Sequence, residues 1–124
     1  MLPKRPRVLL AEDHAELAKA VSRVLGLDCD VVGNVSDVGA VLDAAQRLQP
    51  DVIVLDLNLH NVNGLEVCRQ ITHSNPQSKI IVFTAALDEP ELRQRCLEAG
   101  AAAFVSKMPG DGQLLSTIKR LCGD

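Results

Sequence analysis

The sequence predicts an α/β fold in which one doubly wound, five-stranded parallel sheet carries five helices on its two faces. Two observations favour this fold class, and a general rule gives its strand order. Short apolar runs rich in β-branched residues, such as Val52-Ile53-Val54-Leu55, are typical of strands buried on both faces of a parallel sheet. These runs alternate five times with segments of helical spacing, which predicts βα units with right-handed crossovers. For five strands, the common doubly wound order is 2-1-3-4-5.

The first unit begins with residues 7–11, an apolar run that predicts a strand and ends in Glu12 and Asp13. A helix follows, because apolar residues recur at helical spacing until Gly26. Residues 29–35 predict a second, weaker strand. The apolar stripe of the first helix comprises Leu17, Val21, Val24 and Leu25.

The second helix, the central strand and the third helix follow in order along the chain. Ser36 can cap the second helix, and Pro50 ends it. Residues 51–55 predict the central strand, with Asp56 directly after it, and residues 57–64 are a predicted loop. The apolar stripes of the second and third helices are Val38, Val41, Leu42, Ala45 and Leu48, and Leu65, Cys68 and Ile71.

Two further units complete the chain. Residues 79–84 and 101–106 predict the fourth and fifth strands. Helix boundaries are marked by Asp88 and Pro90, which open the fourth helix, Gly100, which ends it, and Asp111, which can cap the fifth. The apolar stripes are Leu92, Cys96 and Leu97 on the fourth helix, and Leu114, Leu115, Ile118, Leu121 and Cys122 on the fifth.

Length and composition predict a single globular domain covering residues 1–124. The apolar fraction of 47% and the charged fraction of 23% are ordinary for such a domain. The net charge of −3 argues against nucleic-acid binding. The one basic cluster, residues 4–7, is interpreted as a solvated N-terminal segment. No apolar run approaches a membrane span and no signal peptide is visible, so we expect a cytoplasmic location without a membrane partner.

The cysteines, the aromatic residues and the histidines do not indicate a further metal, redox or base-binding site. The four cysteines have no C-x-x-C spacing and are interpreted as reduced, partly buried thiols. With Phe83 and Phe104 as its two aromatic residues, the chain has little means of recognising bases or flavins by stacking. The histidines share no metal-like spacing, and we interpret His14, His60 and His73 as surface residues.

Chemically useful side chains are expected to converge at the carboxyl edge of the sheet. The predicted order places the first strand beside the third, so Glu12, Asp13 and Asp56 share one crevice. Close carboxylates repel one another unless a cation lies among them, and an all-oxygen set with room for water suits Mg²⁺. Thr84 and Lys107 at the same edge can hold phosphoryl oxygens. Together these groups predict phosphoryl transfer onto an aspartate.

At these positions the chain resembles the receiver domain of two-component response regulators, over essentially its whole length. The resemblance implies a flavodoxin-like fold and a phosphorylation-controlled switch that catalyses only its own phosphorylation and dephosphorylation, not a metabolic enzyme. The segments that carry it are Leu9–Asp13, Asp56–Asn58, Gly64, Val82–Ala86 and Gly100–Lys107.

The resemblance implies that Asp56 is the phosphoacceptor. The donor is a sensor histidine kinase, a phosphotransfer protein or a small molecule such as acetyl phosphate. The implied cofactor is Mg²⁺. Its implied ligands are Asp13, Asp56, the backbone carbonyl of Asn58 and, directly or through water, Glu12.

The remaining implied roles concern the phosphoryl group and the response to it. Lys107 pairs with the phosphoryl oxygens, and Thr84 donates a hydrogen bond to one of them. Phe104 is the switch aromatic that moves inward when Thr84 shifts. Asn58 and Ala86 tune the hydrolysis of the aspartyl phosphate. The output is a change on the face of the fourth helix, fifth strand and fifth helix, or homodimerisation.

Two positions depart from the family pattern. His60 stands where the family commonly has proline, and Met108 stands where many receivers have a proline after the lysine. Asn58, residues 63–66 and the absence of that second proline most resemble receivers of LuxR/NarL-type helix-turn-helix transcriptional regulators. No such DNA-binding domain is present in this chain.

The same residues allow four alternative interpretations. A haloacid-dehalogenase-type phosphohydrolase needs an acid two residues after the nucleophile, where this chain has Asn58. A flavin carrier of the same topology needs a phosphate-binding loop after the first strand, where Glu12 and Asp13 would repel a phosphate. A receiver-like adaptor, stand-alone or independent of phosphorylation, would not need the intact acidic pair, Asp56, Thr84 and Lys107. Taken alone, Asp13 could simply cap the first helix.

Overall fold

The computed structural model describes residues 5–57, 64–85, 90–107 and 113–122. Five parallel strands form one sheet in the order β2-β1-β3-β4-β5, which confirms the predicted fold class. The strands are β1 (Arg7–Ala11), β2 (Asp30–Val35), β3 (Val52–Leu55), β4 (Lys79–Thr84) and β5 (Ala103–Ser106). The helices are α1 (Ala15–Leu25), α2 (Val38–Leu48), α3 (Gly64–Ser74), α4 (Pro90–Glu98) and α5 (Gln113–Leu121).

The register of the sheet brings the carboxyl ends of four strands to one edge. Ala11 of β1 pairs with Leu55 of β3, and Leu55 pairs in turn with Val82 of β4. Thr84 of β4 pairs with Ser106 of β5. The residues that directly follow these strands therefore lie side by side.

Two hydrophobic clusters cover the two faces of the sheet. Alternating strand residues such as Leu9 and Ile53 pack with α2, α3 and α4 on one face. Their neighbours, such as Leu10 and Val54, pack with α1 and α5 on the other face. The helices are therefore divided three to two, and the central strand is buried on both sides. In the described part of the chain, no helix is both long and apolar enough to span a bilayer.

Several local predictions, concerning a helix cap, a strand boundary and the buried faces of two helices, were wrong. Asp37, not Ser36, caps α2, since its Oδ1 accepts from the backbone N–H of Ala40 at 2.9 Å. Val24 was predicted to lie on the apolar stripe of the first helix, but it is 56% exposed. The buried residues of α1 are Ala18 and Leu25. Leu97 on α4 is exposed, although it was predicted to lie on the apolar stripe, and the fifth strand begins at Ala103 and not at residue 101. Asp88 and Asp111, predicted at the starts of the last two helices, lie outside the described residues.

The basic N-terminal segment, predicted to be solvated, makes specific hydrogen bonds to the rest of the protein. Arg5 Nη2 donates to the carbonyls of Gly26 and Cys29, both at 2.8 Å. Arg7 Nη1 donates to the carbonyls of Leu48 and Gln49, at 2.6 and 3.0 Å. The last carbonyls of a helix lack partners within the helix and carry partial negative charge. The two arginines therefore anchor the chain at the ends of α1 and α2.

The cysteine prediction is confirmed. The four cysteines are thiols outside disulfides; Cys29, Cys68 and Cys96 are buried and Cys122 is partly exposed. Burial raises the pKa of the Cys68 thiol to about 11, and nearby Cys96 adds to the shift. Burial likewise raises the pKa of Cys29 and of Cys96. Neutral, buried thiols of this kind pack as small apolar groups.

Candidate functional site

Two acidic side chains are positioned by the pairing of β1 with β3. The backbone N–H of Asp56 donates to the carbonyl of Ala11 at 3.0 Å, which continues the ladder one residue past β3. The N–H of Glu12 donates to the carbonyl of Val35 in the same way on the other side of β1. Both side chains are buried, Glu12 at 2% and Asp56 at 3% exposure. The adjacent ends of β1 and β3 therefore carry two nearly inaccessible carboxylates.

A third carboxylate opens this cluster to solvent. Asp13 is exposed, and one oxygen each from Glu12, Asp13 and Asp56 lies within 4.8 Å of the others. The alternative interpretation of Asp13 as the helix cap is wrong. His14 caps α1 instead, because its Nδ1 accepts from the backbone N–H of Leu17 at 3.1 Å. The carboxylate of Asp13 thus belongs to the acidic cluster and not to the helix.

Lys107 supplies the positive charge of the site. Its Nζ lies 2.6 Å from Glu12 Oε1 and 3.1 Å from Asp56 Oδ2, and its side chain is only 14% exposed. The same ammonium lies 5.7 Å from the centroid of the Phe83 ring, within cation–π range. The backbone N–H of Lys107 donates to the carbonyl of Thr84 at 2.8 Å, which holds the end of β5 beside β4. Thr84 itself is buried at the same edge.

The charges of the cluster fit a divalent cation. Three carboxylates and one ammonium leave two negative charges uncompensated in a largely buried site. Glu12 is already held on both oxygens, since Oε2 accepts from the backbone N–H of His14 at 3.1 Å. The exposed carboxylate of Asp13 is therefore better placed than that of Glu12 to be a direct ligand. Oxygen ligands with an open, solvent-facing side suit Mg²⁺.

Phe104 lies next to this edge of the sheet. It is half-buried on β5 and pairs in register with Val82. The guanidinium of Arg93 on α4 stacks over its ring, 5.4 Å from the centroid. Sequence patterns missed Arg93, because nothing local links a charged helix residue to a ring on a later strand. His60, Asn58, Ala86 and Met108 were also singled out in the sequence, and they lie outside the described residues.

Comparisons with known proteins agree with the fold. A family model described as the response regulator receiver domain matches residues 8–119. The response regulator GacA of Pseudomonas viridiflava is 32% identical over 116 residues, which cover 91% of this chain and 53% of GacA. The chain thus spans about half the length of that relative.

Solved structures are similar over nearly the whole chain. A two-component response regulator of the LuxR family from Aurantimonas sp. SI85-9A1 superposes with a TM-score of 0.90 at 26% identity, covering 97% of this chain and 87% of that one. The BeF3-activated receiver domain of RstA from Klebsiella pneumoniae gives 0.85 at 25% identity, covering 95% and 99%.

Proposed function

The chain belongs to the family of response regulator receiver domains, and on that premise we propose that Asp56 is its phosphoacceptor. The observation that carries this proposal is the position of Asp56. Its buried carboxylate contacts the Lys107 ammonium and lies with Glu12 and Asp13 in one acidic cluster. A nucleophile, a cation to receive a phosphoryl group and a set of metal ligands are thereby within reach of one another.

In the proposed reaction, an oxygen of Asp56 attacks the phosphorus of a phosphohistidine on the partner kinase or phosphotransfer protein. The new P–O bond forms as the P–N bond breaks, and the imidazole leaves with the electron pair of that bond. Acetyl phosphate serves as a small donor, with acetate as the leaving group. Bound Mg²⁺ would neutralise charge on the transferred oxygens.

The other residues of the site have separate proposed roles. Asp13 and Asp56 would hold Mg²⁺ with the backbone carbonyl of Asn58, and Glu12 would act directly or through water. Lys107 would leave its carboxylate partners to pair with the new phosphoryl group, whose oxygens also accept from Thr84. Asn58 and Ala86 would tune how long the aspartyl phosphate survives.

The proposed output is a shift between two conformations of the domain. Movement of Thr84 would let Phe104 turn inward, which changes the face formed by α4, β5 and α5 or favours homodimerisation. We propose that residues 1–124 are a single cytoplasmic receiver domain whose sole catalysis is its own phosphorylation and dephosphorylation. Its relation to LuxR-family regulators supports control of transcription through a DNA-binding domain outside this chain.

Intact-mass measurement after incubation with Mg²⁺ and acetyl phosphate tests the proposal. We expect a gain of about 80 Da, the mass of one HPO₃ group, that is lost in Asp56→Asn and in EDTA. An unchanged mass, also with phosphoramidate as donor, would instead favour the adaptor that works without phosphorylation. A gain that survives Asp56→Asn would place the phosphoacceptor elsewhere.

A further inference from the structure

Phe104 and Thr84 lie on the same face of the sheet. Side chains alternate along a strand, so Thr84 shares the face of Ile80 and Val82, which pack with α2, α3 and α4. Phe104 packs against that same cluster. Its register partner is Val82, and Thr84 lies one pleat further toward the site. A ring that swings from Phe104 toward the site therefore approaches Thr84.

In the present structure the half-buried ring lines a surface groove, where Arg93 lies over it. The guanidinium carbon of Arg93 lies 5.4 Å from the ring centroid. Arg93 and Phe104 line a groove between α4 and α5 whose charged lining residues are Arg93 and Arg120. No carboxylate among these lining residues competes for the guanidinium. Within the described residues, Arg93 forms no ion pair.

We propose that Arg93 is a positioning residue that holds the Phe104 ring outward and so restrains the switch. This inference rests on the proposed function, in which Phe104 turns inward after phosphorylation of Asp56. The contact is expected only while the ring lines the groove, because a ring that turns toward Thr84 leaves the groove that Arg93 lines. Arg93 therefore stabilises one of the two states, and it opposes any ligand that requires the other.

The expected size of the effect follows from the kind of contact. A cation–π contact at an exposed site shifts a two-state equilibrium by about two- to fivefold. When the inward state is the minor one, its population sets the apparent affinity for a phosphoryl mimic. Loss of the Arg93 contact should therefore tighten binding of Mg²⁺ with BeF₃⁻ by about two- to fivefold.

The test compares the whole chain with four variants: Arg93→Gln, Arg93→Lys, Phe104→Leu and Arg93→Gln combined with Phe104→Leu. Arg95→Gln on the same helix is the matched control, since Arg95 is exposed and is in the last turn. The apparent dissociation constant for BeF₃⁻ is measured at fixed Mg²⁺ by NMR titration. In parallel, the side-chain protons of Arg93 report the contact, because the face of a ring shifts them upfield and Phe83 and Phe104 carry the two phenyl rings of the chain.

We expect tighter binding for Arg93→Gln, an intermediate value for Arg93→Lys and no change for Arg95→Gln. In the Phe104→Leu background, Arg93→Gln should have no effect, which a role of Arg93 in helix stability alone would not produce. The upfield shift of Arg93 should disappear when BeF₃⁻ binds. Unchanged or weaker binding by Arg93→Gln, beside a normal wild type, would overturn this inference alone. A wild type that neither binds BeF₃⁻ nor gains a phosphoryl group would overturn the proposed function and the inference with it.

Discussion

The Nζ atom of Lys107 lies 3.1 Å from Oδ2 of Asp56, so the end of β5 is tied to the end of β3 across the intervening strand. The pair is nearly buried, and Glu12 shares the same ammonium at 2.6 Å. A buried ion pair adds little net stability, but removal of one partner leaves a charge uncompensated. Lys107 therefore provides the positive charge that these two buried carboxylates share.

Lys107→Met should destabilise the metal-free protein. Glu12 and Asp56 would lose their shared cation, and the free energy of unfolding in EDTA should fall by about 3 to 5 kcal/mol. Urea denaturation followed by circular dichroism measures this change. Lys119→Met is the control, because its contact with Asp28 at 3.7 Å is half-exposed and should be worth less than about 1 kcal/mol. Equal losses in the two variants would show that the buried contacts of Lys107 contribute no more stability than the exposed contact of Lys119.

Asp13→Asn should separate metal binding from folding. Mg²⁺ at about 100 times its Kd should raise the unfolding free energy of the wild type by about 2.7 kcal/mol. The substitution removes one of the three clustered carboxylates and should weaken Mg²⁺ binding by about tenfold or more. In EDTA its stability should be equal or slightly higher, since repulsion between like charges is relieved.

The control for Asp13→Asn is Glu16→Gln. Glu16 is an exposed acid in the first turn of α1 and does not belong to the cluster. Its Mg²⁺ response, measured by thermal unfolding at a series of Mg²⁺ concentrations, should match the wild type. An identical response in Asp13→Asn would remove Asp13 from the metal site.

The sequence predicts the sheet well because its signals are local and strong. The run from Val52 to Leu55 is apolar on both faces, and the structure buries all four residues. The common strand order then places Asp56 beside Glu12 without knowledge of any contact. Strand ends define this edge, so the convergence of the acidic residues follows from topology.

Contacts that depend on packing could not be predicted in this way. Lys107 and Glu12 are 95 positions apart, and the sequence indicates only that they share an edge. The stacking of Arg93 on Phe104 depends on how α4 is rotated against β5, which its spacing of apolar residues does not determine. His14 was missed as a cap because Ser, Thr, Asp and Asn dominate that position.

Gly64→Ala should impair the site through its neighbour Leu57. A Cβ at Gly64 would lie 2.7 Å from Leu57 Cδ2 and 2.9 Å from Leu57 Cα, so the backbone after Asp56 would have to move. We expect a loss of about 1 to 3 kcal/mol in unfolding free energy and slower phosphorylation by acetyl phosphate. Gly39→Ala is the matched control. Gly39 lies within α2 and meets nothing closer than 3.7 Å, so alanine there should stabilise by about 0.5 to 1 kcal/mol. Wild-type rates and stability in Gly64→Ala would show that Leu57 makes room for the methyl group without cost.

Stability should fall in alkaline solution because Cys68 is buried as a neutral thiol. Its pKa is raised by burial from 9.0 to about 11, so between these values the unfolded chain loses a proton that the folded protein keeps. The unfolded state then binds fewer protons, and the free energy of unfolding decreases with pH by up to about 1.4 kcal/mol per pH unit for this group. The contribution of the thiol is complete below pH 9 and is lost as the pH rises toward 11. Urea denaturation under reducing conditions from pH 8 to 10.5 measures the slope. Cys68→Ala should be less stable at pH 8 because of the cavity, but its slope should be shallower. Parallel curves for the two proteins would show that Cys68 does not titrate across this range.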